Sequence, residues 1–169
     1  MKKGQLMSQP LFWVFALIVG ALILIWGMSS VIDLVDRGNY IQVLDAQEEI
    51  QKNIETYNHF DPGSAKTFRV LFSQEIEWLC FVNQIDRTGT DCVLSSGESC
   101  STQIPSDMVD DLKFNVDRST SENLFLLPID AFDLTSFDVG DLKPVDDIIC
   151  FENGEDYRIE SKGTYVQIS

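Results

Sequence analysis

The sequence predicts an α+β protein: a long N-terminal transmembrane and stalk helix followed by a small antiparallel β domain, sandwich-like or built as a sheet packed on the helix. Three observations predict it. An unbroken apolar run, LFWVFALIVGALILIWGM, covers Leu11 to Met28. Apolar residues at helical spacing then continue to Tyr57. From Lys66 onward the pattern becomes short β-prone runs separated by Asp, Asn, Gly and Ser. At 169 residues the chain has room for one modest core beside an anchor. The expected organisation is a short basic leader over 1–10, a transmembrane helix over 11–30, a stalk helix over 31–58 and an extracytoplasmic β-rich domain over 64–169.

As a helix the apolar run spans about 27 Å at ~1.5 Å per residue, close to the hydrocarbon thickness of a bilayer. It carries no charge. A domain this small can hardly cover a rod that is apolar on every side, so lipid is the expected solvent. Trp13 and Trp26 lie near its two ends, where an indole keeps its N–H in the headgroup layer. Lys2 and Lys3 precede the run and Asp33 and Asp36 follow it, so the positive-inside rule places the N-terminus in the cytoplasm. Of the 12 Lys+Arg, the 10 beyond these two lysines face 27 Asp+Glu, a net charge of minus 17 on the far side. Such a domain repels nucleic acid, which excludes nucleic-acid binding; the expected partners are membrane lipid, copies of the N-terminal helix or other surface proteins. A cleaved secretory signal is the competing interpretation. The run is longer than the usual apolar core of about 7–15 residues, and Gly27 with Ser29 makes a poor small-x-small site.

The opening residues, MKKGQLMSQ, resemble the class III signal peptides of archaeal type IV pilins and archaellum-like proteins. In that family a short basic leader ending in Gly is removed ahead of the hydrophobic helix. The resemblance implies cleavage between Gly4 and Gln5 and a helix that bundles with its copies in a filament core. Family members usually carry Glu at the fifth mature position; here Gln9 stands there, followed by Pro10. The resemblance covers roughly the first thirty residues.

Beyond the membrane, past a kink expected at Gly38, Tyr40, Val43, Leu44, Ile50, Ile54 and Tyr57 make an apolar stripe interrupted by Gln47, with Asp45, Glu48, Glu49, Lys52 and Glu55 facing away. The stripe is under three heptads and has no clean coiled-coil seam, so packing on the following domain is expected before self-pairing. Asn58, Asp61, Pro62, Gly63 and Ser64 end the helix. Strands are expected over Thr67 to Phe72, Ile76 to Asn83, Leu112 to Val116, Leu124 to Leu127, Ile148 to Phe151, Tyr157 to Glu160 and Thr164 to Ile168. Gly154 marks one hairpin turn and Lys162-Gly163 another. Asp130 to Asp147 shows no period and reads as loop.

Cys80, Cys92, Cys100 and Cys150 all fall on the outer side, where disulfides form, and three connectivities are formally open. Cys80 and Cys150 share a context, an acidic residue and an apolar pair before Cys-Phe-x-Asn, on expected core strands. Cys92 and Cys100 flank a polar loop. The expected pairs are therefore Cys80–Cys150 and Cys92–Cys100.

A zinc site fails on spacing, since no Cys-x-x-Cys exists, and the single histidine, His59, sits at the helix-ending turn. No catalytic residues, cofactor or phosphate-binding loop are read from the sequence: Gly-x-Ser-x-Gly, Ser-x-x-Lys and glycine-rich motifs are absent. Asn-x-Ser/Thr is absent too. Asp130, Asp133, Asp138 and Asp141 are the calcium candidates, weighed against an acidic loop whose Phe132, Leu134, Phe137 and Val139 enter the core. The expected function is that of a non-enzymatic, membrane-anchored cell-surface protein. A membrane-tethered extracellular enzyme or calcium-binding domain with an acidic site is the alternative.

Overall fold

In the computed structural model the described residues are 8–83, 91–119, 121–132 and 134–169. Helix α1 runs Ser8–Asn58. It closes through two tighter bonds, from the His59 N–H to the Thr56 carbonyl and from the Phe60 N–H to the Tyr57 carbonyl. Gly63, at φ 93°, then turns the chain. The strands are β1 Ala65–Arg69, β2 Trp78–Val82, β3 Cys92–Leu94, β4 Leu124–Leu127, β5 Ser136–Phe137, β6 Leu142–Pro144, β7 Ile148–Glu152, β8 Asp156–Ser161 and β9 Val166–Ile168. Helix α2, Ser106–Arg118, precedes β4.

The chain divides into two compact units, one ending at Asn39 and the other Tyr40–Ser169. In the first, Phe12, Trp13, Ile18, Leu22 and Trp26 are exposed along α1, and none of its most apolar 18-residue window is buried. The helix is long and apolar enough to cross a membrane.

In the second unit the strands form a four-stranded sheet, β1-β8-β9-β6, and a five-stranded sheet, β3-β7-β2-β4-β5. The last part of α1 belongs to this unit. Its Val43, Ala46, Ile50 and Ile54, spaced by three and four, are buried against Leu79, Phe81, Leu124, Leu126 and Phe151 of the larger sheet and Tyr157, Ile159 and Val166 of the smaller. The stripe therefore packs on the sheets. Ala46 completes it, while Tyr40 stays exposed and Leu44 and Tyr57 are half-buried.

Alternation along a strand sends neighbouring side chains to opposite faces. Leu79 and Phe81 enter the core with α1, whereas Cys80, Val82, Phe125, Leu127, Ile148 and Cys150 enter a second core with Val109, Leu112 and Val116 of α2. Covered on both faces, β4 is buried at all four positions, as an uninterrupted LFLL requires.

Two asparagines, Asn123 buried and Asn153 half-buried, hold the irregular segments. Asn123 accepts from the Val139 N–H at 2.9 Å and donates to the Gly140 carbonyl at 2.8 Å, fixing the link between β5 and β6. Asn153 accepts from the Phe72 N–H at 3.0 Å and donates to the Ser73 and Ile76 carbonyls at 3.1 and 2.9 Å, fixing the approach to β2. Backbone polar groups that find no ladder partner are satisfied this way.

Four expectations are corrected. The β domain is mixed, because β3 pairs parallel with β7 and β6 parallel with β9. Between β3 and β7 lies a connection long enough for such a crossover. Leu112 to Val116 is part of α2, not a strand; Pro105 stands at its N-cap position, and Val109, Leu112 and Val116 recur at helical spacing. The turn at Gly154 joins β7 of one sheet to β8 of the other, so it is a corner between sheets and not a ladder-paired hairpin. The region read as loop holds β5 and β6, and within it Leu134 is exposed while Phe137 and Val139 are buried. Strands of two or three residues are too short to show a period, and Pro144 is tolerated because β6 is an edge strand.

The helical reading of α2 is testable. A strand would set Leu112, Phe114 and Val116 on one face, whereas the helix leaves Phe114 55% exposed under the Arg118 guanidinium, 4.3 Å from the ring centroid. Phe114→Ala is expected to cost less than about 1 kcal/mol in urea unfolding, the worth of an exposed cation–π pair.

Candidate functional site

The cysteines are the chemically distinctive cluster of the fold. Cys80 of β2 and Cys150 of β7 stand directly opposite in the antiparallel register and are joined by a disulfide, with Cα atoms 4.1 Å apart. Cys92 opens β3 and Cys100 opens a 3₁₀ turn, and they form the second disulfide. The loop between them is narrow: the Leu94 N–H donates to the Glu98 carbonyl at 2.7 Å, and Gly97, at φ 83°, makes the reversal. Both expected pairs are present.

Parallel pairing of β3 with β7 sets Cys92 level with Ile148 and Leu94 level with Cys150. That register brings the two bridges together. Cys92 Sγ lies 3.6 Å from Cys150 Sγ, and the sulfurs of Cys92, Cys100 and Cys150 are all within 4.8 Å of one another. A cavity of about 340 Å³ reaches one bridge; Asp91, Cys92, Ser99, Cys100, Val109 and Lys113 are among its lining residues.

The aspartates named as calcium candidates lie elsewhere. Asp130, Asp138 and Asp141 are exposed, and Asp133 lies outside the described residues. The Asp138 carboxylate accepts from the Gly140 N–H at 3.0 Å, which ties it to its own turn. Among the described residues, the group of possible metal ligands that converges is the cysteine one. His59 is exposed at the end of α1. Gly4 and Gln5, the expected cleavage site, lie outside the described residues.

Two titratable groups are shifted by their surroundings. Lys162 donates to the Glu160 carboxylate and holds it below the usual range; partial burial opposes this, and the charges of Lys162 and Arg158 add to it. Burial pushes the Tyr157 phenol above its ordinary value, and Glu49 adds to the effect. Asn53 lies near enough to lower it, yet neither Asn53 Nδ2 nor the phenol completes a hydrogen bond. The phenol therefore stays neutral in the folded chain while the unfolded chain ionises near pH 10, so this contribution to stability is full below about pH 10 and lost above it. Tyr157→Phe removes a buried hydroxyl without a partner. It is expected to leave stability at pH 7 unchanged or raised by up to about 1 kcal/mol, and to make the loss of stability above about pH 10 shallower. Urea midpoints at the two pH values measure both effects; a loss of more than about 1.5 kcal/mol at pH 7 would mean that the hydroxyl is hydrogen-bonded.

Comparison with family models, curated proteins and solved structures found no match to this chain. The chemistry of its residues is thus the ground for a functional reading.

Pairing of the cysteines was open to sequence reasoning because Cys80 and Cys150 share an apolar strand context. Contact between the two bridges was not, because it depends on the parallel β3–β7 register.

Proposed function

We propose that the chain is a non-enzymatic, single-pass cell-surface protein, which holds an acidic, disulfide-linked domain outside the cytoplasm on an N-terminal membrane helix. The observation that carries this reading is α1 itself. Trp13 and Trp26 are 68% and 78% exposed at the two ends of a segment whose large apolar side chains are exposed between them. Water does not tolerate a surface apolar on every side of a rod, and lipid or neighbouring helices would cover it. Lys2 and Lys3 before the segment and the acidic excess after it orient the N-terminus to the cytoplasm. Two disulfides fit a domain that matures in an oxidising compartment.

The leader resemblance extends the proposal to a pilin-like subunit of a surface filament, whose apolar helices bundle after removal of residues 1–4. Fractionation of cells producing the full chain, with mass spectrometry of its N-terminus, tests both levels. Membrane-bound protein starting at Gln5 supports the pilin-like subunit, and a start at Met1 supports a plain anchor. A start near Val31 replaces anchoring with secretion. Soluble cytosolic protein with four reduced thiols overturns the proposal.

A further inference from the structure

The two disulfides differ in access and touch each other. Cys80 and Cys150 are fully buried, and neither lines the cavity that reaches Cys92 and Cys100. Cys92 and Cys100 are 7% and 1% exposed and both line that cavity, and Cys92 lies in van der Waals contact with Cys150, sulfur to sulfur at 3.6 Å. A thiol entering the cavity meets one bridge directly and the other only through Cys92. Lys113 also lines the cavity, and a cation there favours a departing thiolate, while Asp91 opposes it.

We propose that the Cys92–Cys100 bridge is a thiol-reactive site for dithiols and that Cys92 passes the exchange on to Cys150. In the first step one thiolate of the dithiol attacks Cys100 Sγ. A mixed disulfide forms, the Cys92–Cys100 bond breaks, and Cys92 leaves with the electron pair as a thiolate. The Cys92 thiolate then attacks Cys150 Sγ, which forms Cys92–Cys150 and breaks Cys80–Cys150; Cys80 takes the electron pair and is protonated. The second thiol of the dithiol resolves the mixed disulfide and releases Cys100. The sum is oxidation of one dithiol to its disulfide, two new protein thiols at Cys80 and Cys100, and one bridge moved to Cys92–Cys150. The exchange frees β2 from its covalent link to β7 and ties β3 to β7 instead. It depends only on the sulfur cluster and stands apart from the membrane reading.

Limited treatment of the oxidised full chain in detergent with dithiothreitol, acid quenching, alkylation and peptide mapping tests the proposal. Among chains that have gained two thiols, at least about a tenth are expected to carry label on Cys80 and Cys100 together with a Cys92–Cys150 linked peptide. Label confined to Cys92 and Cys100 with Cys80–Cys150 intact overturns the transfer. Label appearing first on Cys80 and Cys150, or no reaction before denaturant is added, overturns the entry site. Cys100→Ser asks the same question without a reductant, because it leaves Cys92 free beside the intact bridge. Its single thiol is expected to divide between Cys92 and Cys80, and labelling of Cys92 alone in folded protein counts against the proposal. Should that variant not fold, the titration of the unaltered chain decides.

Discussion

Joint replacement of Cys80 and Cys150 by alanine is expected to lower the stability of the domain by about 4 kcal/mol. The bond closes a loop of sequence separation 70, against 8 for Cys92–Cys100. In the loop-entropy account the longer link removes more freedom from the unfolded chain, and the shorter is worth about 2.5 kcal/mol. Packing acts in the same direction, since both sulfurs are fully buried in the core shared with α2. Alanine is the right replacement because serine would bury a hydroxyl there. A melting temperature lower by roughly 10–20 °C is the expected readout for a domain of this size, measured on the oxidised full chain in detergent. A loss below about 1.5 kcal/mol would mean that β2 and β7 are held by packing and the backbone ladder without help from the link.

The fold was legible where one local signal decided the outcome. Leu124 to Leu127, four consecutive apolar residues between Asn123 and Pro128, reads as a buried strand and is β4 without adjustment. Val43, Ile50 and Ile54 declare a helix face by spacing alone, and the burial of Ala46 shows that a small side chain was part of the same stripe. Signals failed where two patterns overlap. Leu112, Phe114 and Val116 alternate as a strand would, yet Val109, Leu112 and Val116 also recur as a helix would. Pro105 and Asp107 at the start of that segment were the cue for the helix. Partners of the short strands β3 and β6 are set by tertiary contacts distant in sequence, and no local pattern carries that information. The candidate site divides the same way: pairing followed from local context, and contact between the bridges followed from register.

The second large effect concerns residues 40–58, whose apolar stripe admits two uses, a seam between copies of the chain or one wall of the domain core. Ile50 decides between them. It is fully buried among residues of both sheets, with Ile54 beside it. Ile50→Asp removes an aliphatic side chain whose truncation alone costs about 2–5 kcal/mol, and it places an unpaired carboxylate where water does not reach. A total above about 5 kcal/mol is expected, enough to unfold an ordinary domain at neutral pH. Ile41→Asp is the matched control: Ile41 is exposed, and its replacement should cost under about 1 kcal/mol. Protease resistance of the full chain in detergent, with particle mass from light scattering, separates the two uses. If the stripe were a seam between copies, Ile50→Asp would lower the particle mass and leave the domain resistant. The pH dependence adds an independent check on the cause. Burial raises the folded-state pKa of the new carboxyl above its unfolded value, so the ionisation penalty shrinks as pH falls from that raised pKa toward the unfolded value of about 4, and is gone below it. Partial recovery of folded protein on mild acidification is therefore expected for Ile50→Asp. Ile50→Ala, which loses the same contacts without adding a charge, should show no such recovery.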